Sequence, residues 1–220
     1  MPVAPIEILH LYPELVVCVK PAGILSQSGS GHSMVSLLEN QLNSEIFPVH
    51  QLDREVGGVM VFARTKQTAG ALSLQIQQGL MEKEYFAAVR GKPEPNQDEL
   101  IDLLFHDRAR NKTFVVDRKR RGVREARLLY RVLATAEGCS LVQIRLLTGR
   151  THQIRVQFSS RGYPLLGDGR YGGGSGQIQL WSTSLTLDVP GIGKKRFVAV
   201  PEALGGFSSL PVPEPLSFVE

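Results

Sequence analysis

The sequence predicts an α+β fold. Short apolar runs of strand length outnumber helical patterns, neighbouring runs are joined by tight turns, and three stretches carry helical spacing. At 220 residues, with 42% hydrophobic and 21% charged residues, the chain has ample length for a core and too much apolar content for disorder. That length suits one large domain or two small lobes. The organisation expected is a single domain over 1–220 with a Pro- and Gly-rich tail from about Pro201.

Ile6 to His10 and Leu15 to Lys20 read as two strands joined by a Tyr12-Pro13-Glu14 turn. Gln27 to Ser33 is Ser- and Gly-rich and reads as a loop. Met34 to Asn43 carries Leu37, Leu38 and Leu42 at helical spacing, with Ser33 as N-cap. Val59 to Phe62 is an unbroken apolar run, as suits a strand buried on both faces. Lys66 to Gln78 places Ala69, Leu72 and Ile76 on one helical face, and Gly79 ends it. Tyr85 to Val89 is a strand, and Gly91 to Glu99 a surface loop. Ala126 to Ala134 and Ser140 to Leu147 pair around an Ala136-Glu137-Gly138 turn. Ile178 to Trp181, Leu185 to Leu187 and Phe197 to Val200 are three further strands, with Trp181 in the core. Gly172-Gly173-Gly174 lacks the strand-to-helix context of a nucleotide-binding loop and reads as a flexible link.

The formal charge of +4 and a pI near 9.2 permit a phosphate-bearing partner without requiring one. The positive charge is local. Ten Lys or Arg fall between Arg108 and Arg131, including the block Arg118, Lys119, Arg120 and Arg121, against Asp117 and Glu125. A solvated hairpin or a phosphate-contacting surface both fit that excess. Cys18 and Cys139 lie far apart in apolar surroundings and read as buried free thiols. His10, His32 and His106 show no metal-ligand spacing. No signal peptide and no membrane-length apolar run is visible, so a cytoplasmic protein without a membrane partner is expected.

Two stretches carry candidate chemistry. In His50-Gln51-Leu52-Asp53-Arg54-Glu55-Val56-Gly57-Gly58, an acid sits in a charged loop a few residues before a buried strand. Asp53 there is either a turn residue satisfying its own backbone or a site carboxylate. Gly57 and Gly58 allow a sharp turn or a close backbone approach. In Thr148-Gly149-Arg150-Thr151-His152-Gln153-Ile154-Arg155-Val156-Gln157-Phe158, Gly149 makes a turn and Thr151 caps a short helix. Ile154 and Phe158 face the core, and Arg155 lies at the edge of that face. A buried arginine needs a carboxylate, and Asp53 is a candidate. Lys20 is placed either at a cleft entrance or at a surface strand end. His50 and His152 either make framework hydrogen bonds or approach substrate.

Together these motifs resemble the RluA-type pseudouridine synthases. The resemblance runs from about Leu15 to Pro201. It rests on Lys20-Pro21-Ala22-Gly23, on His50 to Glu55 against a His-Arg-Leu-Asp signature, and on Lys83-Glu84-Tyr85 against Lys-x-Tyr. It rests also on Thr148 to Arg155 with the later Pro164-Leu165-Leu166-Gly167-Asp168. The resemblance implies a mixed, largely antiparallel sheet with flanking helices and a central cleft, no metal, no organic cofactor, and RNA (rRNA or tRNA) as partner. It implies Asp53 as the essential aspartate, Tyr85 packing on the target base, Arg155 paired with the aspartate and Ile154 lining the pocket. Gln51, His50 and Arg54 would lie near the substrate. The chain resembles the catalytic domain alone, without the small extra RNA-binding domain of many relatives, and a monomer is the simplest expectation.

The chemistry agrees. Isomerisation breaks the glycosidic bond, turns the base and rejoins it through carbon 5, after the base has left its stack. Asp53 can attack carbon 1 of the sugar or act as a base assisting glycal formation. Two departures bear on rate and substrate rather than on reaction type. Gln51 stands where the family has arginine, and Val56-Gly57-Gly58 stands where it has Thr-Ser-Gly. An RNA-binding protein with weak or lost catalysis is the alternative reading. A nucleoside hydrolase is a third, for which the basic surface would be superfluous.

Overall fold

The computed structural model describes residues 4–27, 32–208 and 210–216. Most of the Ser/Gly loop expected at Gln27 to Ser33 therefore lies outside the described residues. The elements in chain order are β1 (Glu7–Leu11), β2 (Leu15–Lys20), α1 (Met34–Leu42), β3 (Phe47–Pro48), β4 (Gly57–Ala63), α2 (Lys66–Gln77), β5 (Glu82–Arg90) and β6 (Gln97–Asp107). They continue as β7 (Lys112–Val116), β8 (Val123–Ala136), β9 (Cys139–Leu146), α3 (Gln153–Ser159), β10 (Leu180–Val189), β11 (Gly193–Val198), β12 (Ala203–Leu204) and β13 (Phe207–Ser208). The fold is α+β, with mostly antiparallel strands and, among the described residues, three helices. The chain divides into two compact units: residues up to 83 with 182–200, and residues 84–181 with 201 onward.

In the first unit the strand order is β1-β2-β4-β10, with β3 on β4 and β11 on β10. All six residues of β2 and all seven of β4 are buried, so both faces of these strands are covered, as their unbroken apolar runs require. Alternate residues Leu15, Val17, Val59, Val61, Leu185 and Leu187 form one core with Leu72 of α2. Truncating a fully buried leucine such as Leu72 to alanine costs about 2–5 kcal/mol. Ser33 caps α1 through a complete capping box with Ser36. Gly57 and Gly58 belong to β4 itself rather than to the loop before it. A Cβ on Gly58, at φ +119°, would lie 2.2 Å from the Ser182 carbonyl oxygen, so the close approach open to a glycine is the one realised.

In the second unit the order is β5-β9-β8-β6-β7. β8 and β9 turn through Glu137 (φ 50°) and Gly138 (φ 75°), the paired positive φ of a two-residue hairpin. β6 contradicts the surface loop expected to reach Glu99. It begins at Gln97 and pairs with β8 from Gln97↔Arg131 to Phe105↔Val123. Asp98, Glu99 and Asp102 break up its apolar pattern, and Ile101 is exposed, so neither alternation nor an apolar run announces it. Leu104, Ala126 and Val156 pack with Tyr171, and Tyr130 meets Phe158 edge-on, which seats α3 on β6 and β8.

Several expectations are corrected. The runs Ile178 to Trp181 and Leu185 to Leu187 are largely one strand, β10, because Ser182, Thr183 and Ser184 are buried within it. Trp181 and Cys139 are half-buried rather than in the core. Gly172 and Gly174 are exposed, but Gly173 between them is buried and packed, since a Cβ there would run into the Leu165 carbonyl oxygen. From Pro201 the chain does not simply drape over the surface. It forms the β12–β13 ladder, then the Glu214 carbonyl accepts from Gln143, the Leu216 carbonyl accepts from Arg145, and Leu216 is buried.

Candidate active site

Asp53 lies half-buried on the loop entering β4. Its carbonyl accepts the Val56 N–H at 3.1 Å, closing a turn over Arg54 and Glu55. Buried polar groups hold that turn from below. Lys20, fully buried at the end of β2, donates from Nζ to the carbonyls of Pro21 (3.0 Å), Arg54 (3.0 Å) and Val56 (2.6 Å). Its burial rules out the surface strand end: Lys20 is an internal brace beneath the Asp53 turn. Ser26 Oγ donates to the Leu52 carbonyl at 2.7 Å and accepts the Leu52 N–H at 3.0 Å. Gly23 N–H donates to the Arg54 carbonyl, and Arg54 Nε donates to the Gly23 carbonyl. Every residue flanking Asp53 from Leu52 to Val56, apart from exposed Glu55, is thus tied through its backbone.

The electrostatics follow from burial. Burial pulls the Lys20 pKa down to about 8, opposed by the charges of Glu55 and Asp53. His50 Nε2 accepts the Val61 N–H at 3.1 Å, a framework bond that requires the neutral ring. Burial, with the Lys83 charge added, brings the His50 pKa down to about 3. Lys83 is itself lowered by burial. Gln51 and Arg54 are exposed beside Asp53.

In the second unit, Arg155 on α3 donates from Nε to Asp168 Oδ2 at 2.7 Å and from Nη2 to Asp168 Oδ1 at 2.9 Å, with side chains 5% and 0% exposed. Its guanidinium stands over the Tyr171 ring, 5.2 Å from the centroid. Ile154 is buried beside it, and Tyr85 is buried on β5. Thr151 does not cap α3. The N-cap is His152, in the left-handed region at φ 54°, and it makes no side-chain cap bond. His152 Nδ1 lies 3.0 Å from the Tyr171 hydroxyl, a framework contact. Sequence reasoning leaves Asp168 in a motif without a role and misses Tyr171. The only sequence signal for Tyr171 is an aromatic set among glycines three residues after that aspartate.

The basic loop Arg118-Lys119-Arg120-Arg121 is exposed between β7 and β8. Arg120 lies over the Phe105 ring at 5.0 Å and Lys112 over Phe114 at 5.7 Å, so these two aromatics are capped by cations. Among the described residues no Phe, Tyr or Trp is fully exposed, and no group of three His, Cys, Asp or Glu side chains could hold a metal ion. Among the same residues, no helix is long and apolar enough to cross a membrane.

Residues 14–160 match the family described as RNA pseudouridylate synthase. The chain belongs to this family. Family relatives include ribosomal large subunit pseudouridine synthase D of Nitrosomonas europaea, 36% identical over 178 residues, covering 76% of this chain and 50% of that protein. tRNA pseudouridine synthase C of Haemophilus ducreyi is 31% identical over 184 residues, covering 76% of this chain and 74% of that protein. The chain spans about half the length of several of the relatives it matches. In fold it is similar to human RNA pseudouridylate synthase domain containing 4, with a TM-score of 0.75 at 24% identity over 88% of each chain. The fold of the pseudouridylate synthases is therefore established for this chain at the level of both sequence and structure.

Proposed function

We propose that this chain is an RNA pseudouridine synthase that isomerises uridine in rRNA or tRNA, with Asp53 as its catalytic carboxylate. The observation that carries the reading is the Asp53 turn. A half-buried acid is held on a loop whose backbone is pinned by a buried lysine, a serine and an arginine. That is the preorganisation a carboxylate needs to act at one atom of a bound nucleotide. Asp53 acts at the ribose, where the bond from carbon 1 to N1 breaks. The base then turns, carbon 5 bonds to carbon 1, and the carbon 5 proton leaves while N1 gains one. Tyr85 and Arg155 take the family's base-packing and arginine roles, and Gln51 and Arg54, exposed on either side of Asp53, are the residues of that loop open to substrate.

Arg118, Lys119, Arg120 and Arg121 hold the RNA backbone. With the nearby aromatics capped by cations, this surface suits phosphates better than stacked bases. The protein works as a cytoplasmic monomer without cofactor. The test is tritium release from rRNA and tRNA labelled at carbon 5 of uracil. Release by the wild type and none by Asp53→Asn is the expected result. RNA binding without release would move the chain to the binding-protein reading.

A further inference from the structure

The start of the Arg155 helix is held in a costly conformation. His152 is a buried, non-glycine residue at φ 54° and ψ 24°. That region is sterically disfavoured for a side chain with a Cβ, and such a residue persists where its surroundings over-determine it. Tyr171 supplies part of that surrounding. Its hydroxyl contacts His152 Nδ1 at 3.0 Å and accepts the Thr113 N–H at 2.8 Å. Its ring carries the Arg155 guanidinium on one face, while Asp168 fixes the guanidinium fork from the side.

Thr113 links this cluster to the basic hairpin. It lies on β7, paired with His106 of β6, and its Oγ1 donates to the Thr151 carbonyl at 2.8 Å and contacts His106 Nδ1 at 3.1 Å. Its neighbour Lys112 reaches over the Tyr171 ring at 5.3 Å. One aromatic side chain therefore touches the helix start, the buried arginine and the strand leading into the basic loop. Ser159 Oγ, donating to the Tyr171 carbonyl at 2.6 Å, anchors the same residue to the far end of α3.

We propose that Tyr171 is a positioning residue for the isomerisation. It ties the β6–β7 hairpin, which precedes the cationic loop, to the placement of Arg155 and His152. The inference rests on the synthase reading above. Its physical basis is that a reacting group displaced by about 1 Å loses on the order of a hundredfold in rate, even when the displaced support is remote from the chemistry. Tyr171→Phe keeps the ring beneath Arg155 and cuts the ties to Thr113 and His152. Tyr171→Leu removes the ring as well.

The experiment is single-turnover tritium release at saturating labelled RNA. Kd is measured by filter binding, and folded fraction by circular dichroism on the same samples. The expected result is a rate about tenfold lower in Tyr171→Phe and about a hundredfold lower in Tyr171→Leu, with Kd within about twofold of wild type. Wild-type rates in both variants overturn the proposal. So does a loss accounted for by reduced folded fraction or by weaker RNA binding, since a merely structural tyrosine would give that. A wild-type chain that releases no tritium removes the synthase reading and this role with it. That outcome is told apart by the silence of the wild type itself.

Discussion

Arg155 and Asp168 form a two-point ion pair in the interior of the second unit, both side chains almost wholly removed from water. Parallel N–H to oxygen bonds from a guanidinium fork fix its plane as well as its position. Such a pair is a poor source of net stability, because both charges lost their hydration on burial. Breaking it from one side is costly for the same reason.

Asp168→Ala takes this carboxylate from a buried guanidinium and leaves a void in the turn that holds Tyr171. The expected cost is about 3–5 kcal/mol. Urea unfolding followed by circular dichroism checks it. A loss under about 1 kcal/mol would show that water or another group replaces the carboxylate at no real cost.

Lys20 predicts an alkaline limit to activity. Its ammonium supplies three N–H donors to three carbonyls around the Asp53 turn, and a neutral amine has only two. With its pKa brought down to about 8, single-turnover tritium release falls above that pH. Lys20→Met lacks this limb and is slower throughout. Stability moves the other way. The folded pKa lies below the ordinary value of 10.5, so between pH 8 and 10.5 the unfolded chain binds more protons and this group's contribution rises with pH. An alkaline fall in rate with the same midpoint in Lys20→Met would assign the limb elsewhere.

His50 predicts acid sensitivity of the fold. Its folded pKa of about 3 lies below the ordinary 6.5, so in the window between them the unfolded chain binds a proton that the folded chain refuses. Stability is lost as pH falls through that window, at up to about 1.4 kcal/mol per pH unit. Denaturant unfolding from pH 7 to pH 4 should show a shallower decline for His50→Gln, whose amide oxygen can still accept the Val61 N–H. Parallel declines would place the sensitivity in other groups.

The basic loop predicts a change in binding that leaves the chemistry alone. Replacing Arg118, Lys119, Arg120 and Arg121 together with alanine weakens RNA binding. The slope of log affinity against log salt becomes shallower by about 1 for each phosphate no longer neutralised. The rate at saturating RNA stays within about twofold. These side chains are exposed, so the unfolding free energy changes by about 0.5 kcal/mol or less per site. An unchanged salt slope would move the RNA-binding face to another surface.

The sequence alone determined the elements whose signals are local. The β1–β2 hairpin, the Ser33-capped helix, the apolar strand before Ala63 and the β8–β9 turn at Glu137-Gly138 follow from short-range patterns of apolar spacing, caps and turn residues. Family membership was legible too, because its motifs are strings of adjacent residues. Tertiary structure decided what depends on distant partners. β6 was hidden because its polar residues are satisfied from outside the strand, as when Gln157 and Arg161 bind Asp102. The strand around Lys20 leaves it open between a cleft entrance and a surface strand end, and its place is fixed by three carbonyls, two of them more than thirty residues away. Asp168 and Tyr171 gained meaning only when the fold set them against Arg155, thirteen and sixteen residues earlier in the chain. A local pattern records what a residue prefers. The partner that satisfies a buried charge is chosen by chain crossings that no short window of sequence contains.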